Sequence, residues 1–393
     1  MTFAQAGASV VQQALGSLAP VLVATFGLSK AQLGVAFTSL MLGSMLFTAT
    51  AGLLTDRWGE RLVMLCSAIV MTVALVLAPL RHSYAWLVAW IGVYGAAYAA
   101  ITPAGGRAIL SWFDRDRGIA MGIRQTGVPV GGFAGALVLP VLAAAFGLHG
   151  AFFVAAAVLL VPSLIAFALY REASDEPRVA QSLHELARGM QTLARDPRLV
   201  AVTLTCMILV GVQLAMNAFV TITGVAVVGT SAALAALAFA CAQGAAAAGR
   251  LFWGFASDRF FGGDRLVPFA IICVMAAGAA WGLALLAPGA VAALFVCAVV
   301  LGLSGAGWNG LMAAAMAEVG GVERAASALG LALTAMFAAS AVAPTAFGAL
   351  ADHSSLHVAW ALTGALALLA VAPVLWLRAH QTAPLRRSPS REG

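Results

Sequence analysis

Long apolar runs alternate with short polar segments along the whole chain, and this is its dominant pattern. The runs fall at 6–26, 32–54, 62–80, 85–108, 118–146, 150–170, 199–226, 231–256, 266–287, 290–317, 326–350 and 357–377. Each is long enough to cross a hydrocarbon layer, which takes about 20 residues of helix. Nothing in that layer bonds a free peptide group, so each run is expected to be a helix that satisfies its own backbone. Gly and Ala are frequent within the runs and let helices pack closely without a bulky core. The pattern predicts an all-α membrane protein of twelve transmembrane helices.

Composition supports that count. Of 393 residues 62% are hydrophobic, enough for the about 240 that twelve spans need. Only 9% are charged, against about 25% in a soluble protein. A soluble fold would lack the polar surface to stay dissolved, which excludes a cytosolic enzyme, a secreted disulfide domain and a disordered chain. The first run follows no basic segment and precedes no small-residue cleavage site, so a retained first span is expected.

Charge sets the orientation. With both ends in the cytoplasm, Lys30 and Arg81 lie outside and Arg124 and Arg250 within spans; the other seventeen of the 21 basic residues lie inside, as the positive-inside rule requires. No basic stripe interleaved with aromatics exists, so nucleic acid is not an expected partner. The five cysteines lie in apolar runs without a CxxC pair and are expected to be small core residues. Many alanines and a single lysine suit a GC-rich bacterium, placing the chain in its inner membrane, where a functional monomer is expected.

Residues 171–198 carry Arg, Glu, Asp and Pro and break the pattern near its midpoint. The expected organisation is a six-helix unit over 1–174, a cytoplasmic linker over 175–197, a second six-helix unit over 198–378 and a disordered tail over 379–393. Val179 to Leu193 suits an amphipathic surface helix as well as a solvated linker. The two units echo each other. Gly52 stands four residues before Asp56-Arg57, and Gly254 four before Asp258-Arg259. Gly92, Gly95 and Tyr98 in the fourth span correspond to Gly302, Gly305 and Trp308 in the tenth. Two six-helix halves of this kind are a transporter signature.

The stretch Gly52 to Arg61 (GLLTDRWGER) resembles the loop signature between the second and third helices of the major facilitator superfamily. In that reading the glycine lets two helices approach, while Asp56, Arg57 and Arg61, with Asp258 and Arg259 in the second copy, form ion pairs at a cytoplasmic gate. The resemblance implies two pseudo-symmetric six-helix bundles that rock about a central site.

Two arginines lie where charge is costly. Arg250 stands eight residues before Asp258, about 12 Å from the end of its span, and no acid lies above it in that span. A guanidinium so placed suits a carboxylate gripped by two N–H donors. Arg250 to Asp258 also resembles the eighth helix of the oxalate–formate exchanger and monocarboxylate transporter branches, where the corresponding arginine binds the substrate carboxylate. The exchanger's second cation, a lysine in the eleventh helix, has no counterpart in 326–350, which favours a monocarboxylate. Animal monocarboxylate transporters carry an Asp where this chain has Ala246, so their proton-coupling scheme does not transfer. Arg124 lies about 9 Å into the fifth span, before a glycine–proline segment resembling that of superfamily antiporters but with the proline displaced by one residue. It is a possible ligand for substrate or a partner of Asp56 or Asp114.

Softer candidates are Gln213 and Asn217 on one face of the seventh helix, Tyr94 and Tyr98 in the fourth, Trp308 and Asn309 in the tenth, and Gln12 in the first. Each suits either a substrate oxygen or a bond between helices. The segment from Gly305 to Gly310 fits G-x-G-x-x-G but follows no strand, so it predicts helix packing. No Walker motif, metal-ligand spacing or catalytic constellation is visible; no cofactor, metal or enzymatic activity is expected. The expected function is secondary transport of a small organic anion, a monocarboxylate, by proton symport or anion exchange. The alternative is proton-driven efflux of drugs or other hydrophobic compounds.

Overall fold

The structure, a computed structural model, describes residues 2–112, 117–171 and 195–381. No strand occurs among them. The first span is α1 (Thr2–Ala14), a 3-10 turn and α2 (Ala19–Phe26). The second is α3 (Lys30–Trp58) and the third α4 (Glu60–Leu77). The fourth is α5 (Tyr84–Tyr98) with α6 (Ile101–Trp112). The fifth and sixth are joined in α7 (Arg117–Leu169). After the linker come α8 (Pro197–Thr223), α9 (Ala232–Phe260), α10 (Leu266–Ala284) and α11 (Val291–Gly305). α12 (Asn309–His353) holds the end of the tenth span and the eleventh, and α13 (Leu356–Leu369) with α14 (Val371–Gln381) forms the twelfth.

Among the described residues, eleven helical segments are long and apolar enough to cross a membrane. One of them, Thr126–Leu169, makes two crossings: its helix breaks at Gly147, whose φ of 70° and ψ of 179° are open to glycine alone. Twelve crossings result. Side chains capture the turns at the far ends of several spans. Ser29 and Gln32 form a reciprocal capping box at the start of α3, and Ser231 and Ser355 cap α9 and α13.

The repeat seen in the sequence is a repeat in packing. A Cβ on Gly95 would strike the carbonyl of Leu40, so the fourth span lies directly on the second. A Cβ on Gly302 would strike the carbonyl of Ala242, so the tenth lies equally close to the eighth. Both fourth helices are also broken, although continuous helices were expected there. Ala99 and Ala100 interrupt one after Tyr98, and Ala306 to Trp308 interrupt the other after Gly305. Carbonyls freed by a break need donors. Ser67 Oγ serves Ala97 O at 2.6 Å, Trp308 Nε1 serves Gly305 O at 3.0 Å and Asn309 Nδ2 serves Ala306 O at 3.1 Å.

Two packing expectations need correction. Gly52 and Gly254 face open space among the described residues, so neither mediates a close helix approach in this conformation. Cys66 is exposed on its helix, and Cys241 and Cys297 are half-buried; only Cys206 and Cys273 are core residues. All five are free thiols. The expected surface helix over 179–193 and the tail beyond 381 lie outside the described residues.

Candidate functional site

The halves meet at mid-membrane and toward the end that carries Lys30. At mid-membrane Asn217 Nδ2 donates to Gln13 Oε1 at 3.1 Å, Gln243 Nε2 to Gln13 O at 3.2 Å and Thr221 Oγ1 to Gly16 O at 2.5 Å. Gly16 is pressed against the Asn217 carbonyl and Gly132 against Gln13 and Gln243. Nearer the Lys30 end, Thr38 and Thr345 share a hydrogen bond of 2.9 Å. Asp352 accepts the backbone N–H of Lys30 at 3.0 Å and of Ala31 at 2.7 Å, and pairs with Lys30 Nζ at 3.3 Å. The carboxylate of one half thus caps the first turn of a helix in the other.

At the opposite end the ion pairs among the described residues stay within one half. Arg107 meets Glu60 at 3.2 Å, and Arg265 meets Asp258 at 2.6 Å and Glu318 at 2.7 Å. Burial draws the Arg265 pKa down, but its bonds to Glu318 and Asp258 outweigh that and leave it above the ordinary value. Arg61 donates to Phe167 O at 2.9 Å and lies 4.3 Å over the Phe167 ring, while Arg57 and Arg259 are exposed. The side chain of Asp56 lies outside the described residues. The two halves are therefore tied to each other at the Lys30 end, while the described ion pairs at the Arg57 end lie within one half or the other.

Between mid-membrane and the Arg57 end lies a polar cluster. The first helix presents Gln5, Ser9 and Gln12 at helical spacing on one stripe. Gln5 Oε1 accepts from Arg124 Nη1 at 2.7 Å, and Gln5 Nε2 donates to Tyr98 Oη and Ser9 Oγ, both at 3.4 Å. Ser9 and Tyr98 share a further bond of 3.2 Å. Tyr98 also lies close enough to both Arg124 and Arg250 to feel their charge. The structure thus brings together Arg124, Tyr98 and Arg250 from three separate spans, with the two arginines on opposite halves. Arg250 is ten residues from the end of α9, about 15 Å deep. Its Nε is buried, and no hydrogen bond or ion pair reaches its side chain among the described residues.

The remaining predicted residues take other positions. Tyr94 is fully buried, stacks near Tyr98 with ring centroids 6.4 Å apart, and donates to Ala8 O. Trp308 is fully buried and, among the described residues, bonded only to its own broken helix. Asn309 reaches Gln213 at 3.5 Å within the second half. Gln12 leaves its Oε1 buried without a donor. Sequence reasoning missed Gln5, Ser9, Gln243 and Asp352. The stripe at 5, 9 and 12 was the available signal for the first two.

With fold and site in view, the comparisons are decisive on family. The family model described as Major Facilitator Superfamily matches residues 1–286 and 215–393. An uncharacterized MFS-type transporter of Mycobacterium tuberculosis (strain CDC 1551 / Oshkosh) is 31% identical over 324 residues, 81% of this chain and 71% of that protein. This chain belongs to the Major Facilitator Superfamily and is a multi-pass membrane transporter. Shorter matches include a probable sulfoacetate transporter of Cupriavidus necator, 30% identical over 43% of this chain and 40% of that one. Another is a multidrug resistance protein of Dickeya zeae, 32% identical over 42% and 40%. Among solved structures, an inward-facing, occupied bacterial homolog of the human lysosomal transporter Spinster superposes with a TM-score of 0.83 at 17% identity, covering 99% of this chain and 97% of that one. That likeness establishes the fold.

Proposed function

We propose that the protein carries a small organic anion, a monocarboxylate, across a bacterial inner membrane, and that Arg250 holds the carboxylate. Both termini and the Arg57 end face the cytoplasm in this reading, so the conformation is inward-facing. The observation that carries it is the Arg250 guanidinium itself, about 15 Å deep and with no partner among the described residues. A charge at that depth is costly to keep unpaired, and a planar carboxylate matches its fork of donors. Arg124, Tyr98 and Gln5 face it from the other half, so an anion bound between them contacts both bundles as they rock. The likeness of Arg250 to Asp258 to the monocarboxylate and oxalate–formate branches supports the same assignment. Proton symport and anion exchange both remain compatible with a site that holds no acid among the residues named.

Efflux of hydrophobic compounds is the second reading, favoured by the match to the multidrug resistance protein. Uptake of labelled lactate, acetate, oxalate and aromatic acids into proteoliposomes, with and without a pH gradient, separates the two. Anion transport that is lost in Arg250→Ala supports the first. Transport of a cationic dye that survives Arg250→Ala, with no anion carried, overturns it.

A further inference from the structure

One hydroxyl at the site has its direction of donation fixed by the groups around it. The chain of bonds starts at Arg124, whose guanidinium has donors only. Its Nη1 lies against Gly105, where a Cβ would overlap it, and donates to Ile101 O at 3.2 Å and to Gln5 Oε1 at 2.7 Å. That bond orients the Gln5 amide, oxygen toward Arg124 and Nε2 toward Ser9 Oγ and Tyr98 Oη, each at 3.4 Å. Both amide hydrogens are then used.

Ser9 and Tyr98 share the next bond, of 3.2 Å, and by geometry either hydroxyl could donate it. Burial decides between them. Gln5, Ser9 and Arg124 are buried, whereas Tyr98 is half-buried. Tyr98 Oη is the only acceptor that the Ser9 hydroxyl meets among the described residues. Were Tyr98 the donor, the Ser9 hydrogen would be buried with nothing to bond, which is costly. Ser9 therefore donates. The Tyr98 oxygen then receives hydrogens from both Gln5 and Ser9, which fills its two lone pairs. The Tyr98 hydrogen itself is left with no acceptor in the protein among the described residues. Arg250 lies near enough for its charge to reach Tyr98, yet no hydrogen bond joins the two among those residues.

We propose that the Tyr98 hydroxyl is the second ligand of the carboxylate held by Arg250, donating to it from the opposite half, and that Gln5 and Arg124 are positioning residues that act through Tyr98. This rests on the anion reading above and adds to it the group on the other bundle that touches the substrate. Both groups that meet the occupant can only donate. A guanidinium has no lone pair to offer, and those of Tyr98 are taken. The site thus selects the ionised carboxylate over the neutral acid or its amide, whose own hydrogens would find no acceptor on either group.

The probe is whichever of labelled lactate, acetate, oxalate and benzoate enters proteoliposomes fastest. Apparent affinity is read for the parent and for variants that elute monodisperse with an unchanged helical circular dichroism spectrum. Tyr98→Phe is expected to weaken affinity about tenfold, the size of one hydrogen bond to a charged group. Tyr98→3-fluorotyrosine, with a stronger donor and a poorer acceptor, is expected to strengthen affinity about twofold, which altered packing alone would not do. Adding Gln5→Met to Tyr98→Phe is expected to cost no further affinity, because Gln5 acts through the missing hydroxyl. Unchanged affinity in Tyr98→Phe, unchanged or weaker affinity in the fluorinated protein, or a further loss of about threefold or more in the double variant overturns the proposal. The carboxylate carrier stands in each of those cases so long as Arg250→Ala abolishes uptake. Should Tyr98→Phe fail to fold, the fluorinated protein decides alone. If none of the four acids enters, the anion reading and this one fall together.

Discussion

Replacing Asp352 by Asn tests how the seal at the Lys30 end is held. One carboxylate oxygen takes the Lys30 N–H and Nζ, and the other takes the Ala31 N–H. Asparagine keeps a single acceptor oxygen and turns an N–H group toward a remaining donor. The change removes the charge and at least one hydrogen bond to a charged group, worth about 1.5–3 kcal/mol. The partly exposed Lys30 pair adds at most about 1 kcal/mol. A net shift of about 2 kcal/mol raises the form open at that end about 30-fold where it is the minor form. Thr38 lies eight residues below Lys30 and behind the seal. In a background lacking the five native cysteines, Thr38→Cys should react with a membrane-impermeant maleimide added from the Lys30 side. The rate should rise about 30-fold when Asp352→Asn is added. An unchanged or slower rate would show that Asp352 does not hold the seal.

Four further outcomes follow from the same geometry. Arg250→Lys should keep the charge but lose the two-pronged grip, weakening apparent anion affinity by about tenfold or more in proteoliposome uptake. Gln5→Met should cut the tie between Arg124 and Tyr98 and lower apparent affinity about tenfold with no loss of helical content; unaltered transport would show the tie to be idle. Gly95→Val and Gly302→Val should each destabilise their half by about 1–3 kcal/mol through overlap with a backbone carbonyl, read as a lower Tm in detergent. Gly254→Ala, which meets open space, should leave that Tm in place.

Apolar run length carried the architecture, because only a helix satisfies its own backbone in lipid and because charge, Arg124 and Arg250 apart, is confined to span ends. It did not register the breaks after Tyr98 and Gly305. Alanine and glycine sit on both sides of each break, and the freed carbonyls are met by Ser67 from another span and by Trp308 and Asn309 three residues along. The depth of Arg250 was legible by counting residues to Asp258. Its company was not, since Gln5 and Tyr98 come from other spans and meet it only after the bundles pack. Asp352 was invisible for the same reason: it stands 322 residues from Lys30 and looks like an ordinary loop acid. Trp308 had two readings open in the sequence, a substrate contact or a bond within the protein, and in the fold its indole bonds Gly305 O at the helix break.

At the Lys30 end the halves touch in part through bare peptide surface. Gly34 lies against the carbonyl of Pro344, and Gly348 against the carbonyl of Lys30. Where these contacts part, peptide groups rather than side-chain hydrocarbon meet water. Heat-capacity change tracks the apolar area newly given to water, at about 0.45 cal/K/mol per Å². Newly wetted peptide acts in the opposite sense, so these two contacts damp the drift with temperature that the apolar part of the seam imposes on the balance between the faces.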